Sequence, residues 1–228
     1  MIIAIIPARG GSKRIKKKNV KLFCSKPMIS WTIDSLKKSN FFDKIVVTSD
    51  DNKILRISKK YGADILIKRD KNLSDDLTGT KPVIQDAIKK LIKNYSLNPK
   101  YICCIYPCNP FLDINNLSKG LRILKKNKNF QIFSITKYSH PIQRALIIKN
   151  KKIYFINKTN SLVRTQDLKE TFYDAGQFYW AHYKLWMSDF STDGNSKGII
   201  IPTWKSHDID NTDDWKRAEI FFKNLNNK

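Results

Sequence analysis

An α/β fold around a parallel sheet is what this sequence predicts, and two observations predict it. Several short runs rich in Ile and Val are apolar at every position instead of alternating with polar residues, the pattern of strands covered on both faces. Segments with apolar residues at helical spacing lie between those runs, and that alternation builds βαβ units.

The first run, residues 2–6, is Ile-Ile-Ala-Ile-Ile and breaks at Pro7. A helix over 27–38 follows, with Pro27 near its start, where a missing N–H costs little, and Ile29, Ile33 and Leu36 on one face. Strands at 45–48, 64–67 and 101–106 alternate with helices at 52–61 and 80–95. The second half is less regular: a helix at 114–126, a strand at 131–136, a hairpin over 146–156 turning at the polar 149–152, and strands at 177–182 and 198–201. The last helix begins at Thr212, with Asp213 and Asp214 suited to its positive end and Trp215, Ala218, Phe222 and Leu225 along one face. Residues 1–228 read as one domain without repeats or linkers, and 137–172 read as a small excursion from it.

A chain of 228 residues can bury a sizeable core, and 41% hydrophobic residues suffice to offset the entropy of ordering it. The net charge of +23 would suit nucleic acid through neutralised phosphates. The lysines, however, are spread along every segment, often beside Asn, as on a solvated surface. Such a surface still steers a triphosphate or an acidic substrate inward. The four cysteines form no C-x-x-C pair and the three His lie far apart, so no zinc spacing exists; Cys103 and Cys104 read as core. The apolar opening is too short for a signal peptide, and no run approaches the roughly 20 apolar residues of a membrane span. The expectation is a cytoplasmic protein with reduced thiols and neither a membrane nor a nucleic-acid partner.

Beyond the first strand the chain reads Ile6-Pro7-Ala8-Arg9-Gly10-Gly11-Ser12-Lys13-Arg14 and then Lys18-Asn19. Ligands of a parallel sheet bind past the carboxyl ends of its strands, so this turn sits where a nucleotide would lie. Gly10 and Gly11 let backbone N–H groups approach phosphate oxygens, and Arg9, Lys13 and Lys18 supply charge. Asp208 and Asp210 are two apart in an extended stretch, so both point one way while Ile209 faces the core. Two hard carboxylates suit Mg²⁺, although the same letters also make an ordinary turn and helix cap. Ser49-Asp50-Asp51, at the exit of the second strand, suits a helix cap at least as well as a functional role.

The string Ile-Pro-Ala-Arg-Gly-Gly-Ser-Lys-x-x-x-x-Lys-Asn resembles the N-terminal motif of the sialic acid-type cytidylyltransferases. The resemblance runs over about residues 1–219 and implies a doubly wound, mostly parallel sheet of the nucleotidyltransferase type. It implies that Ala8, Arg9, Gly10, Gly11, Ser12, Lys13, Lys18 and Asn19 bind the nucleotide, with Arg9 and Lys18 on the triphosphate. Arg69, with Thr80 after the segment Leu73-Ser74-Asp75-Asp76-Leu77-Thr78-Gly79, would hold cytosine. Asp208 and Asp210 would carry Mg²⁺ and, with Arg9 and Lys18, the catalysis.

Tyr106-Pro107-Cys108-Asn109-Pro110 stands where sialic acid enzymes show Gln-Pro-x-Ser-Pro, and Tyr173 where they carry an Arg. Pro-Ile-Gln-Arg-Ala at 141–145, Arg-x-Gln-Asp at 164–167 and Asp-Ala-Gly-Gln-Phe-Tyr at 174–179 resemble the pseudaminic acid branch. On that resemblance the substrates are CTP and an acidic nine-carbon sugar, activated for surface glycan or flagellin glycosylation. The sugar would meet Tyr106, Asn109, Gln143, Arg144, Arg164, Gln166 and Gln177, and the 137–172 excursion would form a homodimer. Activation of N-acylneuraminate or legionaminate is the alternative within the class, and a basic nucleic-acid-binding protein the alternative outside it.

Overall fold

Successive side chains of a strand point to opposite faces, so an all-apolar strand needs cover on both sides. β1 (Ile2–Pro7) shows this in the computed structural model, which describes residues 1–226: Ile3 and Ile5 join one buried cluster, Ala4 and Ile6 another. β4 (Lys44–Ser49), β5 (Ile65–Lys68) and β6 (Tyr101–Ile105) lie parallel to it. On one face pack α1 (Met28–Ser39), α2 (Asn52–Lys60) and α4 (Ile114–Lys126); on the other, α3 (Thr80–Tyr95) and the short α5 (Tyr183–Met187). The sheet is thus doubly wound, as expected.

A two-residue pair missed in the sequence, β2 (Leu22–Phe23) with β3 (Lys26–Pro27), turns at Cys24 and Ser25, both at positive φ. The large sheet also takes in β7 (Gln131–Lys137), β10 (Phe172–His182) and β11 (Ser196–Ile200), in the order β11-β7-β10-β6-β1-β4-β5. β10 is the antiparallel member of this mostly parallel sheet: it runs antiparallel to both β6 and β7, and it starts five residues earlier than the apolar run suggested. The predicted hairpin is a separate ribbon of β8 (Leu146–Lys149) and β9 (Lys152–Phe155), closed by Asn150 and Lys151 at φ 51 and 62. Two consecutive positive φ values match the twist of a two-residue hairpin turn.

α6 (Thr212–Asn226) seals the end of the molecule: Trp215, Ala218 and Phe222 pack with Ile15, Phe23, Met28, Phe111 and Ile209. Leu225, expected on that face, is largely exposed, one turn past the last contact. This third cluster seats both the turn after β1 and the acidic segment before α6 on one apolar base.

α4 approaches the sheet at Gly120, where an added Cβ would stand 2.8 Å from Cδ1 of Trp180. Trp180 is fully buried and stacked on Phe42 at 5.3 Å, so it cannot give way. Gly120→Ala gains about 1 kcal/mol of helix propensity, yet overpacking costs about 1–3 kcal/mol. A fall in stability of about 1 kcal/mol is expected in a urea titration; an unchanged midpoint contradicts this packing.

Candidate active site

β1 is flanked by β4 on one side and β6 on the other, so the connections leave it in opposite directions and a crevice opens past the strand ends. A cavity of about 350 Å³ occupies that crevice. Its walls are the turn after β1, the loop before α3, the loop after β6, residues 175–177 of β10 and the segment 207–210.

The turn after β1 is held from below. The amide of Gly10 donates to Asp50 Oδ1 at 2.8 Å, and a Cβ on Gly10 would stand 2.9 Å from that of Asp51. Gly10 therefore allows a close approach to the β4 exit, and its N–H is already used there, whereas Gly11 faces open space. Asp51 caps α2 through the amides of Lys53 and Ile54, at 2.6 and 3.3 Å, so this acidic pair does structural work. Ala8 is wholly buried, and Ser12 lines the cavity.

Asn19, expected near the ribose and phosphates, acts as a brace: its Nδ2 donates to the Arg9 carbonyl at 2.8 Å, and its Oδ1 accepts from Cys108 Sγ at 3.2 Å. Burial pushes the Cys108 thiol up to about 12, so it remains a protonated donor.

The charges of the cleft are paired across it. Arg9 Nη1 donates to the Asp75 carbonyl at 3.0 Å and to Asp76 Oδ1 at 2.8 Å, and Lys13 forms an ion pair with the other oxygen of Asp76. Hydrogen bonding from Lys13 holds the Asp76 carboxyl below its ordinary range. On the far wall Lys18 Nζ donates to the Ile209 carbonyl at 2.7 Å and lies 3.5 Å from Asp210 Oδ1, while Arg14 Nη1 stands 2.7 Å from Asp210 Oδ2. Ile209 is buried, and Asp208 and Asp210 both face the cavity. Burial, then the neighbouring Asp210, raises the pKa of Asp208, so the two carboxylates crowd each other.

Arg69 is buried with Nη2 donating to the Thr48 carbonyl at 2.8 Å and with Nε unpartnered among the described residues. Burial is the largest influence on its guanidinium and lowers its pKa. Thr80 Oγ1 and the Tyr106 hydroxyl are hydrogen-bonded at 2.9 Å on the same cavity wall.

A family profile described as Cytidylyltransferase matches residues 3–193. The chain belongs to the cytidylyltransferase family. It is 36% identical over 223 residues to "Pseudaminic acid cytidylyltransferase" of Campylobacter jejuni subsp. jejuni serotype O:2, covering 97% of this chain and 96% of that one. "N-acylneuraminate cytidylyltransferase" of Escherichia coli is 31% identical over 62% of this chain and 33% of its own length. Among solved structures, a CMP:2-keto-3-deoxy-manno-octonic acid synthetase complexed with CTP superposes with a TM-score of 0.72 at 12% identity, covering 98% of this chain and 99% of that one. A 4-diphosphocytidyl-2C-methyl-D-erythritol synthase from Anaerococcus prevotii superposes at 0.64, with 17% identity over 97% and 96%. These last two speak for the fold.

Within this cytidylyltransferase the expected sugar residues separate. Tyr106, Asn109 and Gln177 line the cavity, but Asn109 and Gln177 are engaged: Asn109 Nδ2 donates to the Gln177 carbonyl at 3.3 Å, and Gln177 Nε2 to the Lys205 carbonyl at 2.7 Å. Gln143, Arg144, Arg164 and Gln166 lie on the excursion and do not line this cavity; Gln143 Nε2 donates to the Lys169 carbonyl at 2.8 Å. Sequence reasoning missed Arg14, Asp76 and His207 as cleft residues. Asp76 and Arg14 stood within recognised strings, but their partners lie 67 and 196 positions away, and no local pattern announces such pairs.

Proposed function

We propose that the chain transfers CMP from CTP to pseudaminic acid, giving CMP-pseudaminic acid and pyrophosphate. The observation that carries this reading is the meeting of a basic turn, Arg9 to Lys18, with the Asp208 and Asp210 segment across one crevice. Resemblance to the pseudaminic acid enzymes over nearly the whole chain supports the choice of sugar.

The anomeric hydroxyl of the sugar attacks the α-phosphorus in line, and pyrophosphate departs. Most of the work is positioning and charge stabilisation. Arg9, Lys13 and Lys18 grip the triphosphate, and Arg9 and Lys18 take up the charge that shifts to the leaving group. Arg69 and Thr80 face the base, with the unpartnered Nε of Arg69 as a spare donor.

The donor set of Asp208 and Asp210 fits Mg²⁺: two hard oxygens crowd each other, and no third acidic, His or Cys donor gathers among the described residues, leaving places for waters and phosphate. When bound, the ion neutralises the α-phosphate and makes the attacking hydroxyl more acidic. Asp210 would exchange its bonds to Arg14 and Lys18 for it.

Homodimerisation through 137–172 belongs to the same proposal. The excursion leaves Ile148, Ile153 and Leu162 exposed at 74%, 67% and 95%, more apolar surface than a small excursion in water favours. A second copy would bring Gln143, Arg144, Arg164 and Gln166 to a cleft. The protein is expected to work in the cytoplasm, where CTP is made available; no helix among the described residues is long and apolar enough to cross a membrane. Pyrophosphate release that requires both CTP and the sugar tests the reaction, and release without either one refutes it.

A further inference from the structure

Resting on that reading, we infer that Asp174 is a positioning residue for the sugar-side wall: its carboxylate clasps a bulge of β10 that presents residues 175–177 to the cleft. Along the β7 and β10 ladder Asp174 faces Ile135, and the next pair is Tyr179 with Phe133. Only Ser134 stands between the two β7 positions, opposite Ala175, Gly176, Gln177 and Phe178. An ordinary bulge adds one residue, so this longer excess of backbone needs anchors if it is to hold one shape.

Two anchors come from below and two from Asp174. Ser134 Oγ accepts from the amides of Gln177 and Phe178 at 3.1 and 3.4 Å. Asp174 Oδ1 accepts from the Gly176 amide at 2.8 Å, and Oδ2 accepts from the Tyr179 hydroxyl at 2.7 Å. One carboxylate thus ties the crest of the bulge to the residue that ends it. Gly176 sits at φ 64, which glycine adopts without strain.

The clasped segment joins three walls of the cleft. The Gln177 carbonyl accepts from the Tyr106 amide at 3.2 Å and from Asn109 Nδ2, while Gln177 Nε2 reaches the Lys205 carbonyl, just ahead of the acidic segment. Tyr179, whose ring lies 5.3 Å from that of Tyr106, carries the clasp toward the residue at which this chain departs from the sialic acid pattern. Asp174 itself is exposed, and Phe178 and Trp180 root the strand in the core without it. Its removal loosens the wall and leaves the fold standing.

The test is steady-state kinetics of Asp174→Ala and Asp174→Asn, with KM taken separately for pseudaminic acid and CTP and with Tm measured alongside. Charge-assisted hydrogen bonds to the wall are lost, so the sugar KM rises about tenfold or more in Asp174→Ala, while the CTP KM stays within about twofold and Tm hardly moves. Asp174→Asn, which keeps an acceptor oxygen, falls between that variant and wild type. An unchanged sugar KM overturns the inference, and so does a joint rise of both KM values with a falling Tm. Should Asp174→Ala fail to fold, Asp174→Asn, which removes the charge but keeps an acceptor oxygen, decides by the same readouts. A wild-type protein that releases no pyrophosphate with the sugar refutes the functional reading itself; an active wild type with unaffected variants refutes the clasp alone.

Discussion

Asp210→Asn lowers kcat by on the order of 100-fold or more while leaving the KM for CTP within a few fold. The substitution keeps the shape of the side chain and an oxygen that can still accept from Arg14 and Lys18. Lys18 also remains tied to the Ile209 carbonyl, a backbone group that the change does not touch. Ile209 is buried in the cluster beneath, so the segment stays in place. What disappears is one of the two carboxylate charges proposed to hold Mg²⁺, and losing the charge stabilisation that the ion would supply at a reacting phosphoryl group typically raises the barrier by about 2.7–4 kcal/mol. Turnover at saturating Mg²⁺, followed by pyrophosphate release, checks this. Wild-type kcat in the variant contradicts the assignment of Asp210 to the metal.

Pseudaminic acid should exceed N-acetylneuraminic acid by at least about 100-fold in kcat/KM, which corresponds to about 2.7 kcal/mol of differential transition-state binding. Of the residues that set this chain apart, Tyr106 stands in the cleft itself, its hydroxyl shared with Thr80 and its ring beside Tyr179. Burial raises the pKa of Tyr106, so it faces the cleft as a neutral phenol. Tyr173 packs against Tyr138 at 4.8 Å, at the root of the excursion, and offers no cation for a carboxylate. A panel of acidic sugars assayed with CTP measures the ratio, and Tyr106→Gln should narrow it. Equal rates with the two acids return the chain to a general nonulosonate enzyme.

The strands of the first half and the basic turn after β1 were legible because each is written in consecutive residues: uniform apolarity for β1, β4 and β6, a Gly-Gly pair amid cations for the turn. Ile209 between two aspartates was legible for the same reason, since alternation alone sends it inward. The direction of β10 was not, because an apolar run is the same read either way, and only the chain's return path decides it. Asn19 shows the other limit: its place in the motif is local, but its partners Arg9 and Cys108 are fixed by the fold, and they make it a brace. Gln143, Arg144, Arg164 and Gln166 carry suitable chemistry on the excursion but stand outside this cavity, a placement that no local pattern announces.

Asp76 carries one more consequence. With Arg9 and Lys13 closed on its carboxylate, the crevice has a built-in counter-anion, and in the proposed reaction nucleotide entry would be an exchange of anions instead of a simple addition. Fewer dissolved ions are then released than the number of cations in the turn would suggest, so CTP affinity varies less steeply with salt than in a cleft lined by bare cations. In the proposed reaction the same carboxylate would be at hand when pyrophosphate lets go, and its return to Arg9 and Lys13 would compete with rebinding of the product.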